Sequence, residues 1–184
     1  MTNLNQLPVD LPVPQDDGAT NHLVGMRLPD IVLAATKGES VNVAKVKGGL
    51  VIYCYPMTGR PNVALPDGWD QIPGARGCTP QSCAFRDHYQ ELQLLGAEVF
   101  GLSVQTTEYQ QEMADRLHLP FPVLSDADYQ FQQALNLPTF VAAGMTLLKR
   151  VTLIADDGVI RAVHYPIFPS DSDAPWVINY LQTN

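Results

Sequence analysis

The sequence has too few basic residues and too short apolar runs for several classes of protein. Its 184 residues include 11 Lys and Arg against 19 Asp and Glu, which gives a net charge of −8. Binding to nucleic acids or to anionic membranes needs a basic surface, so we expect neither kind of partner. No run reaches the roughly 18 apolar residues of a membrane span. The first 22 residues contain no Lys or Arg, which argues against a signal peptide.

Cysteine and histidine are also scarce. Three cysteines, an odd number, do not indicate the disulfide scaffold of a small secreted protein, so we expect a cytoplasmic location. A zinc site needs about four ligands, often beginning with cysteines two to four residues apart. The histidines are scattered and form no ligand pair: His22, His88, His118 and His164. We therefore expect no metal and no cofactor.

The remaining composition is that of an ordinary globular domain, with 46% hydrophobic and 16% charged residues. Residues 1–22 are aperiodic and contain Pro and Asp, so we predict an N-terminal arm before a single domain at 23–184. Residues 57–77 are dense in Gly and Pro and predict a long inserted loop. A loop of this length inside a compact domain is usually functional or mobile.

Apolar runs and helical spacing predict alternating strands and helices over the domain. The predicted strands are 30–36, 49–56, 97–105 and 121–128, with a hairpin at 147–166 around Asp157-Gly158. The predicted helices are 79–96, 106–119, 129–137 and 173–181. This order predicts an α/β protein with a mixed central sheet flanked by helices.

Two of the cysteines lie in "GCTPQSC", residues 77–83. Cys78 stands where the Gly-ended loop meets the helix, and we predict that Thr79 caps that helix. Unpaired backbone N–H groups and the positive end of the helix dipole favour thiolate over thiol at this place. Arg76 is a nearby source of further positive charge.

Cys83 follows five residues later on the same predicted helix. An ideal helix would separate the two Cα atoms by roughly 8–9 Å, whereas a disulfide rarely spans more than about 7 Å. A redox couple would therefore need the first helical turn to unwind. Three interpretations stay open on spacing alone: a redox couple, a metal site, or two unremarkable thiols. A Cys–His hydrolase is disfavoured because His88 lies ten residues from Cys78, too far along the helix to act as its base. The third cysteine, Cys54, lies in an apolar strand, and we predict that it is a buried apolar residue.

Four separated motifs together resemble one protein family. "GCTPQSCAFRDHYQEL" is similar to the active-site helix of the peroxiredoxins, in particular of the peroxiredoxin Q or bacterioferritin comigratory protein type. The other motifs are "VIYCYP", "VFGLSVQTTEYQQEMADRLHLPFPVLSDAD" and "KRVTLIADDGVIRAVHY", which follow in the family's order. The resemblance covers roughly residues 23–182 and implies a thioredoxin-like fold.

The resemblance implies a role for each matching residue. Cys78 matches the peroxidatic cysteine, Cys83 the resolving cysteine, and Arg150 the arginine that holds thiolate and peroxide. The residues implied to bind substrate are Pro56, Thr58, Gly77 and Thr79. The implied partners are a hydroperoxide, hydrogen peroxide or organic, and a thioredoxin-like reductant, for a monomer or a homodimer.

The sequence departs from the family pattern in front of Cys78. The family places Thr or Ser three residues before the cysteine, but this chain has Ala75 there, and more than a dozen extra residues follow Pro56. Thr58 would supply the hydroxyl if the loop folded back. The sequence is therefore compatible with two functions: a thiol peroxidase, and a non-enzymatic redox sensor or interaction protein. General disulfide exchange is a less favoured function, because thioredoxin-type enzymes have two residues between their cysteines, whereas four residues separate Cys78 from Cys83.

Overall fold

The fold is a mixed sheet with helices on both faces, as the element order predicts. A computed structural model describes residue 4 and residues 6–184; residues 1–3 and 5 of the predicted arm lie outside the described residues. Over the described residues the strands are β1 Val32–Ala35, β2 Ser40–Asn42, β3 Gly49–Cys54, β4 Ala97–Ser103, β5 Val123–Ser125, β6 Thr139–Ala142, β7 Met145–Leu148, β8 Val151–Asp156 and β9 Val159–His164. The α-helices there are α1 Cys78–Asp87, α2 Tyr89–Leu94, α3 Thr107–Arg116, α4 Gln130–Leu135 and α5 Asp173–Thr183.

Seven strands form the main sheet in the order β2-β1-β5-β4-β3-β8-β9. The β3–β4 and β4–β5 pairs are parallel and the others antiparallel. The central strand β3 alternates between two apolar cores, because successive side chains point to opposite faces. Ile52 and Cys54 pack into one core, while Tyr53 and Tyr55 pack into the other. Within the described part of the chain, no helix is long and apolar enough to cross a membrane.

The helices divide between these two cores. Helices α1, α2, α3 and α5 contribute buried side chains to the core that contains Tyr53, namely Phe85, Leu92, Met113 and Val177. Helix α4 contributes Phe131 and Leu135 to the core on the opposite face. Because α1 and α5 pack on the same face, the N-terminal turns of these two helices lie side by side over the sheet.

Two predictions about the first helix are wrong. The predicted helix 79–96 is interrupted at His88, whose backbone angles (φ −99°, ψ 5°) leave the helical region, so that α1 and α2 are separate helices. The cap is Gly77 and not Thr79, because α1 already begins at Cys78. Gly77 has φ +114°, which only glycine adopts without strain, and an added Cβ would collide with Ser170.

Strand β2 and the hairpin of β6 and β7 were not predicted. Strand β2 pairs with β1 at the edge of the sheet, and β6 and β7 form a separate hairpin. The turn of that hairpin contains Ala143 and Gly144, both with positive φ (48° and 75°). Alanine rarely takes this conformation, so the usual sequence signal of a tight hairpin is missing. The hairpin predicted at 147–166 is confirmed as β8–β9, with Asp157 and Gly158 in its turn, but its strands begin at Val151 and residues 147–148 belong to β7.

The inserted loop and the arm both pack on the domain. Trp69, in the middle of 57–77, is 3% exposed and forms a small apolar cluster with Ala75, Ala142 and Leu147. In the arm, the Asp17 carboxylate accepts hydrogen bonds from Lys149 Nζ at 2.6 Å and from the Tyr165 hydroxyl at 2.8 Å. The described part of the arm therefore crosses the same side of the molecule as the loop.

Candidate active site

Cys78 is the first residue of α1 and follows the Gly77 cap directly. Its place where the loop meets the helix is the one that the sequence predicts. It is 4% exposed, and its Sγ lies 3.8 Å from the carbonyl oxygen of Ala75. The cavity beside it measures about 10 Å³, which is close to the room one water molecule needs. The residues lining this cavity are Leu4, Met57, Gly59, Leu65, Trp69, Arg76, Gly77, Cys78 and Thr79. The loop and the arm thus cover the sulfur.

Arg150 lies just before β8 and reaches the sulfur. Its Nη2 is 3.4 Å from Cys78 Sγ and donates to three backbone carbonyls, those of Gly74 and Ala75 at 3.2 Å and of Arg76 at 3.3 Å. The side chain is 3% exposed, so its charge is screened little by water. A fixed guanidinium in this position stabilises a thiolate, and its planar donors suit a developing oxyanion.

A buried polar chain that sequence reasoning missed continues behind Arg150. Arg150 Nη1 donates to Gln81 Oε1, and Gln81 Nε2 donates to Asp173 Oδ2 at 2.6 Å. The same carboxylate accepts from Thr152 Oγ1 at 2.7 Å and lies 2.8 Å from His164 Nδ1. Gln81 stands one turn after Cys78, which is a usable signal, but nothing in the sequence connects Asp173 to this site.

Cys83 lies near the middle of α1 and is only partly exposed. All three cysteines are described, and all are free thiols. Burial raises the pKa of the Cys83 thiol; Arg86 and Arg116 oppose this effect, and Asp87 adds to it. The first turn of α1 is intact, with Gln81 N donating to Gly77 O at 3.0 Å. In this structure, Cys78 is therefore held beside Arg150 and is not bonded to Cys83.

The other predicted residues are not all brought together. Gly77 and Thr79 line the cavity at Cys78, whereas Pro56 and Thr58 are not among its described lining residues. The Thr58 hydroxyl donates to Gln105 Oε1 at 3.1 Å, so it is hydrogen-bonded outside this cavity. The substrate-binding roles of these four residues stay predictions.

Arg76 lies one residue from the cap of α1, and its guanidinium is largely buried. Its Nη1 is 3.5 Å from the Asp70 carboxylate, which comes from the inserted loop. The positive charge predicted near Cys78 is therefore present beside the cavity, but it is partly balanced by that carboxylate.

Comparisons with known proteins identify the family of this chain. The Redoxin family matches residues 23–178. Peroxiredoxin Q from Sedum lineare chloroplasts is 31% identical over 161 residues, which cover 86% of this chain and 77% of that protein. The chloroplastic peroxiredoxin Q of Oryza sativa subsp. japonica is 30% identical, with 86% of this chain and 66% of that protein covered, so the match spans just under two thirds of the rice protein.

Solved structures share the fold. Peroxidoxin BcpB from Mycobacterium tuberculosis superposes with a TM-score of 0.68 at 24% identity, covering 87% of this chain and 96% of that one. A peroxiredoxin Q structure from Xanthomonas campestris gives a TM-score of 0.66 at 18% identity, covering 96% and 99% of the two chains. The predicted thioredoxin-like fold is confirmed.

Proposed function

Because this chain belongs to the redoxin family, as a peroxiredoxin of the Q type, we propose that Cys78, Cys83 and Arg150 carry out its reduction of hydroperoxides. Its enzyme class is thiol peroxidase. The observation that carries the assignment of residues is the 3.4 Å contact between Arg150 Nη2 and Cys78 Sγ at the first residue of α1. The helix terminus and the guanidinium both direct positive charge at this sulfur.

In the first step, the Cys78 thiolate attacks one oxygen of the hydroperoxide. An S–O bond forms as the O–O bond breaks, so that sulfur is oxidised to a sulfenic acid and the other oxygen leaves as an alkoxide or hydroxide that takes up a proton. Arg150 stabilises the thiolate before attack and the charge on the leaving oxygen during it. Because the cavity at Cys78 has room for about one water, the cover formed by Leu4 and the inserted loop must shift to admit substrate.

In the second step, the Cys83 thiolate attacks the sulfenic sulfur of Cys78. A disulfide forms and the sulfenic oxygen leaves as water once protonated. The first turn of α1 must unwind before the two sulfurs can meet, since an intact helix holds the Cα atoms roughly 8–9 Å apart.

A dithiol protein of the thioredoxin kind then restores both thiols by exchange. This step needs a reducing compartment, and we propose that the protein acts in the cytoplasm. The protein acts as a monomer or a homodimer. Both hydrogen peroxide and organic hydroperoxides are candidate substrates, and Arg150 also borders a mostly apolar cavity of about 280 Å³ that suits the organic group of the latter.

One observation favours a second candidate, a redox sensor that forms the disulfide without rapid turnover. Ala75 gives the site no hydroxyl at the place where the family has one, and the Thr58 hydroxyl is bonded to Gln105 instead. The sensor would retain Cys78, Cys83 and Arg150 but would react with peroxide slowly.

A coupled assay separates the two candidates. Thioredoxin, thioredoxin reductase and NADPH are mixed with the protein and either hydrogen peroxide or cumene hydroperoxide, and NADPH oxidation is followed. The peroxidase proposal expects sustained turnover that Cys78→Ser abolishes, and mass spectrometry should find Cys78 linked to Cys83. A linked pair without turnover supports the sensor, and peroxide-treated protein without any oxidation of Cys78 overturns both.

A further inference from the structure

We propose that Asp173 is a positioning residue that acts through Gln81 to hold Arg150 against Cys78. The inference rests on the proposed function, in which Arg150 stabilises the Cys78 thiolate. Asp173 is the first residue of α5, while Gln81 lies in the first turn of α1. The two side chains are fully buried and meet at 2.6 Å across the contact between these helices.

The Asp173 carboxylate determines which way the Gln81 amide points. An amide has a donor end and an acceptor end, whereas an ionised carboxylate only accepts hydrogen bonds and a guanidinium only donates them. Gln81 stands between one of each: its Nε2 donates to Asp173, and its Oε1 accepts from Arg150. The reverse orientation would place two acceptors together at one end and two donors at the other, so only this orientation bonds to both neighbours.

Asp173 is itself held in one orientation. Its Oδ2 also accepts from Thr152 Oγ1 at 2.7 Å, and its Oδ1 lies 2.8 Å from His164 Nδ1. The His164 ring stacks on Trp176, with ring centres 4.2 Å apart and planes 6° apart. The carboxylate therefore has partners on both oxygens, which fixes its orientation. Through the hydrogen bonds of Gln81, the fixed carboxylate also restricts the orientation of the Arg150 guanidinium at the sulfur.

This arrangement has opposite consequences for the two chemical steps. The hydrogen bonds of Gln81 join the first turn of α1 to α5 and to Arg150, so they stabilise the state in which Cys78 meets peroxide. Unwinding of that turn, which disulfide formation requires, must break the Gln81–Asp173 bond. Loss of Asp173 should therefore slow the attack on peroxide and speed the formation of the disulfide, whereas a merely structural residue would not separate the two rates.

The test measures both rates by rapid mixing and acid quench, followed by mass spectrometry of the sulfenic acid and the disulfide. Asp173→Leu removes the acceptors but keeps the branch at Cγ; we expect sulfenic acid formation to slow roughly tenfold, as for the loss of a charge-assisted hydrogen bond, and disulfide formation to accelerate. Asp173→Asn keeps an amide oxygen that can accept from Gln81, so both rates should stay within about threefold of the unmodified protein.

Asp126→Leu is the matched control. Asp126 is also a buried carboxylate; it precedes α4 and accepts from the backbone N–H groups of Phe131 and Gln132 at 2.9 and 2.8 Å, but α4 packs into the opposite core. Its loss should lower the melting temperature and leave both rates unchanged. If Asp173→Leu fails to fold, Gln81→Met breaks the same chain at its middle and should shift the two rates in the same opposite directions.

The double variant Gln81→Met/Asp173→Leu tests whether the residues act in series. If Asp173 acts through Gln81, the second substitution adds little to the first, whereas independent roles give additive effects and overturn the inference. Equal slowing of both steps by Asp173→Leu overturns it as well. The rate of iodoacetamide labelling of Cys78 reports the thiolate without peroxide. If peroxide left Cys78 of the unmodified protein unoxidised, the proposed function would fail, and this labelling would still decide the role of Asp173.

Discussion

Cys78 and Cys83 lie on one helix, five residues apart, but in different surroundings. Cys78 is 4% exposed, stands at the helix terminus and contacts a buried guanidinium at 3.4 Å. Cys83 is partly exposed, and burial in apolar packing raises the pKa of its thiol, with Arg86 lowering it again in part. The two thiols therefore differ in their contacts: Cys78 lies beside a cation at the helix terminus, whereas Cys83 lies in the second turn, where burial raises its pKa. In the proposed function, these surroundings and not the residue type distinguish the roles of the two cysteines.

The largest effect should come from removing the second cysteine. Cys83→Ser leaves Cys78, Arg150 and the helix terminus in place, so the attack on peroxide should proceed at nearly the rate of the unmodified protein. Turnover with thioredoxin should be lost, since no intramolecular disulfide forms, and Cys78 sulfenic acid should accumulate and be trapped by dimedone. Cys54→Ser, at the third cysteine, should leave turnover intact; sustained turnover in Cys83→Ser would instead assign resolution to another thiol.

The next largest effect should come from removing the cation. Arg150→Met keeps much of the side-chain volume but removes the donors at the sulfur, and we expect sulfenic acid formation to slow by about 100-fold, as for other losses of a preorganised charge-stabilising donor. Arg150→Lys restores charge without the planar fork and should recover only part of this loss. The rate of Cys83 alkylation serves as the internal control, because Arg150 faces Cys78 alone of the two. An unchanged peroxide rate in Arg150→Met would contradict the proposed role.

Cys78, Arg150 and Asp173 were predictable from sequence to different extents. The position of Cys78 at a helix start followed from the loop glycines and from Thr79-Pro80, although Gly77 provides the cap. Arg150 could be located only through the family resemblance, since a lone arginine before a strand has no local signature. Asp173 could not be found, because its contact with Gln81 joins residues 92 apart and depends on how α1 and α5 pack.

The fold also contains elements that the sequence predicts and others that it does not. Strands buried on both faces, such as β3, were predictable from their continuous apolar runs. The β6–β7 hairpin was missed because Ala143 adopts a positive φ that its residue type disfavours. The position of Leu4 at the cavity of Cys78 was not predictable, because Leu4 and the inserted loop meet only in three dimensions.

A smaller effect is expected from replacing the charges around Cys83, and it is seen in how the rate of disulfide formation depends on pH. Because its pKa is raised, most Cys83 is protonated at neutral pH, and the rate of disulfide formation should rise about tenfold per pH unit until the pKa is passed. Arg86→Gln removes a group that lowers this pKa and should slow the step at pH 7, while Asp87→Asn removes a group that raises it and should speed the step. Quenched-flow measurement from pH 6 to 9 checks both shifts. A rate independent of pH would contradict the assignment of Cys83 as the attacking thiol.

The smallest effect concerns the arm, which contacts the Cys78 side of the helix. Hydrogen bonds from Lys149 and Tyr165 lower the pKa of Asp17 from 3.8 to about 2. A lowered pKa contributes stability above pH 3.8 that is lost as the pH falls through about 2. Asp17→Asn should therefore reduce the free energy of unfolding at pH 7 by less than about 1 kcal/mol, since the pair is partly exposed, and the difference should vanish near pH 2.

The same variant distinguishes the two cysteines. Lys149 adjoins Arg150 in the chain, and the arm reaches the cavity at Cys78 through Leu4. Loosening the arm at Asp17 should therefore raise the rate of iodoacetamide labelling at Cys78 by a few-fold and leave the rate at Cys83 unchanged. Asp16→Asn is the neighbouring control, because its carboxylate bonds only the backbone N–H of Gly18 among the described contacts. Equal acceleration at both cysteines would mean that the arm stabilises the whole domain and does not specifically cover the first turn of α1.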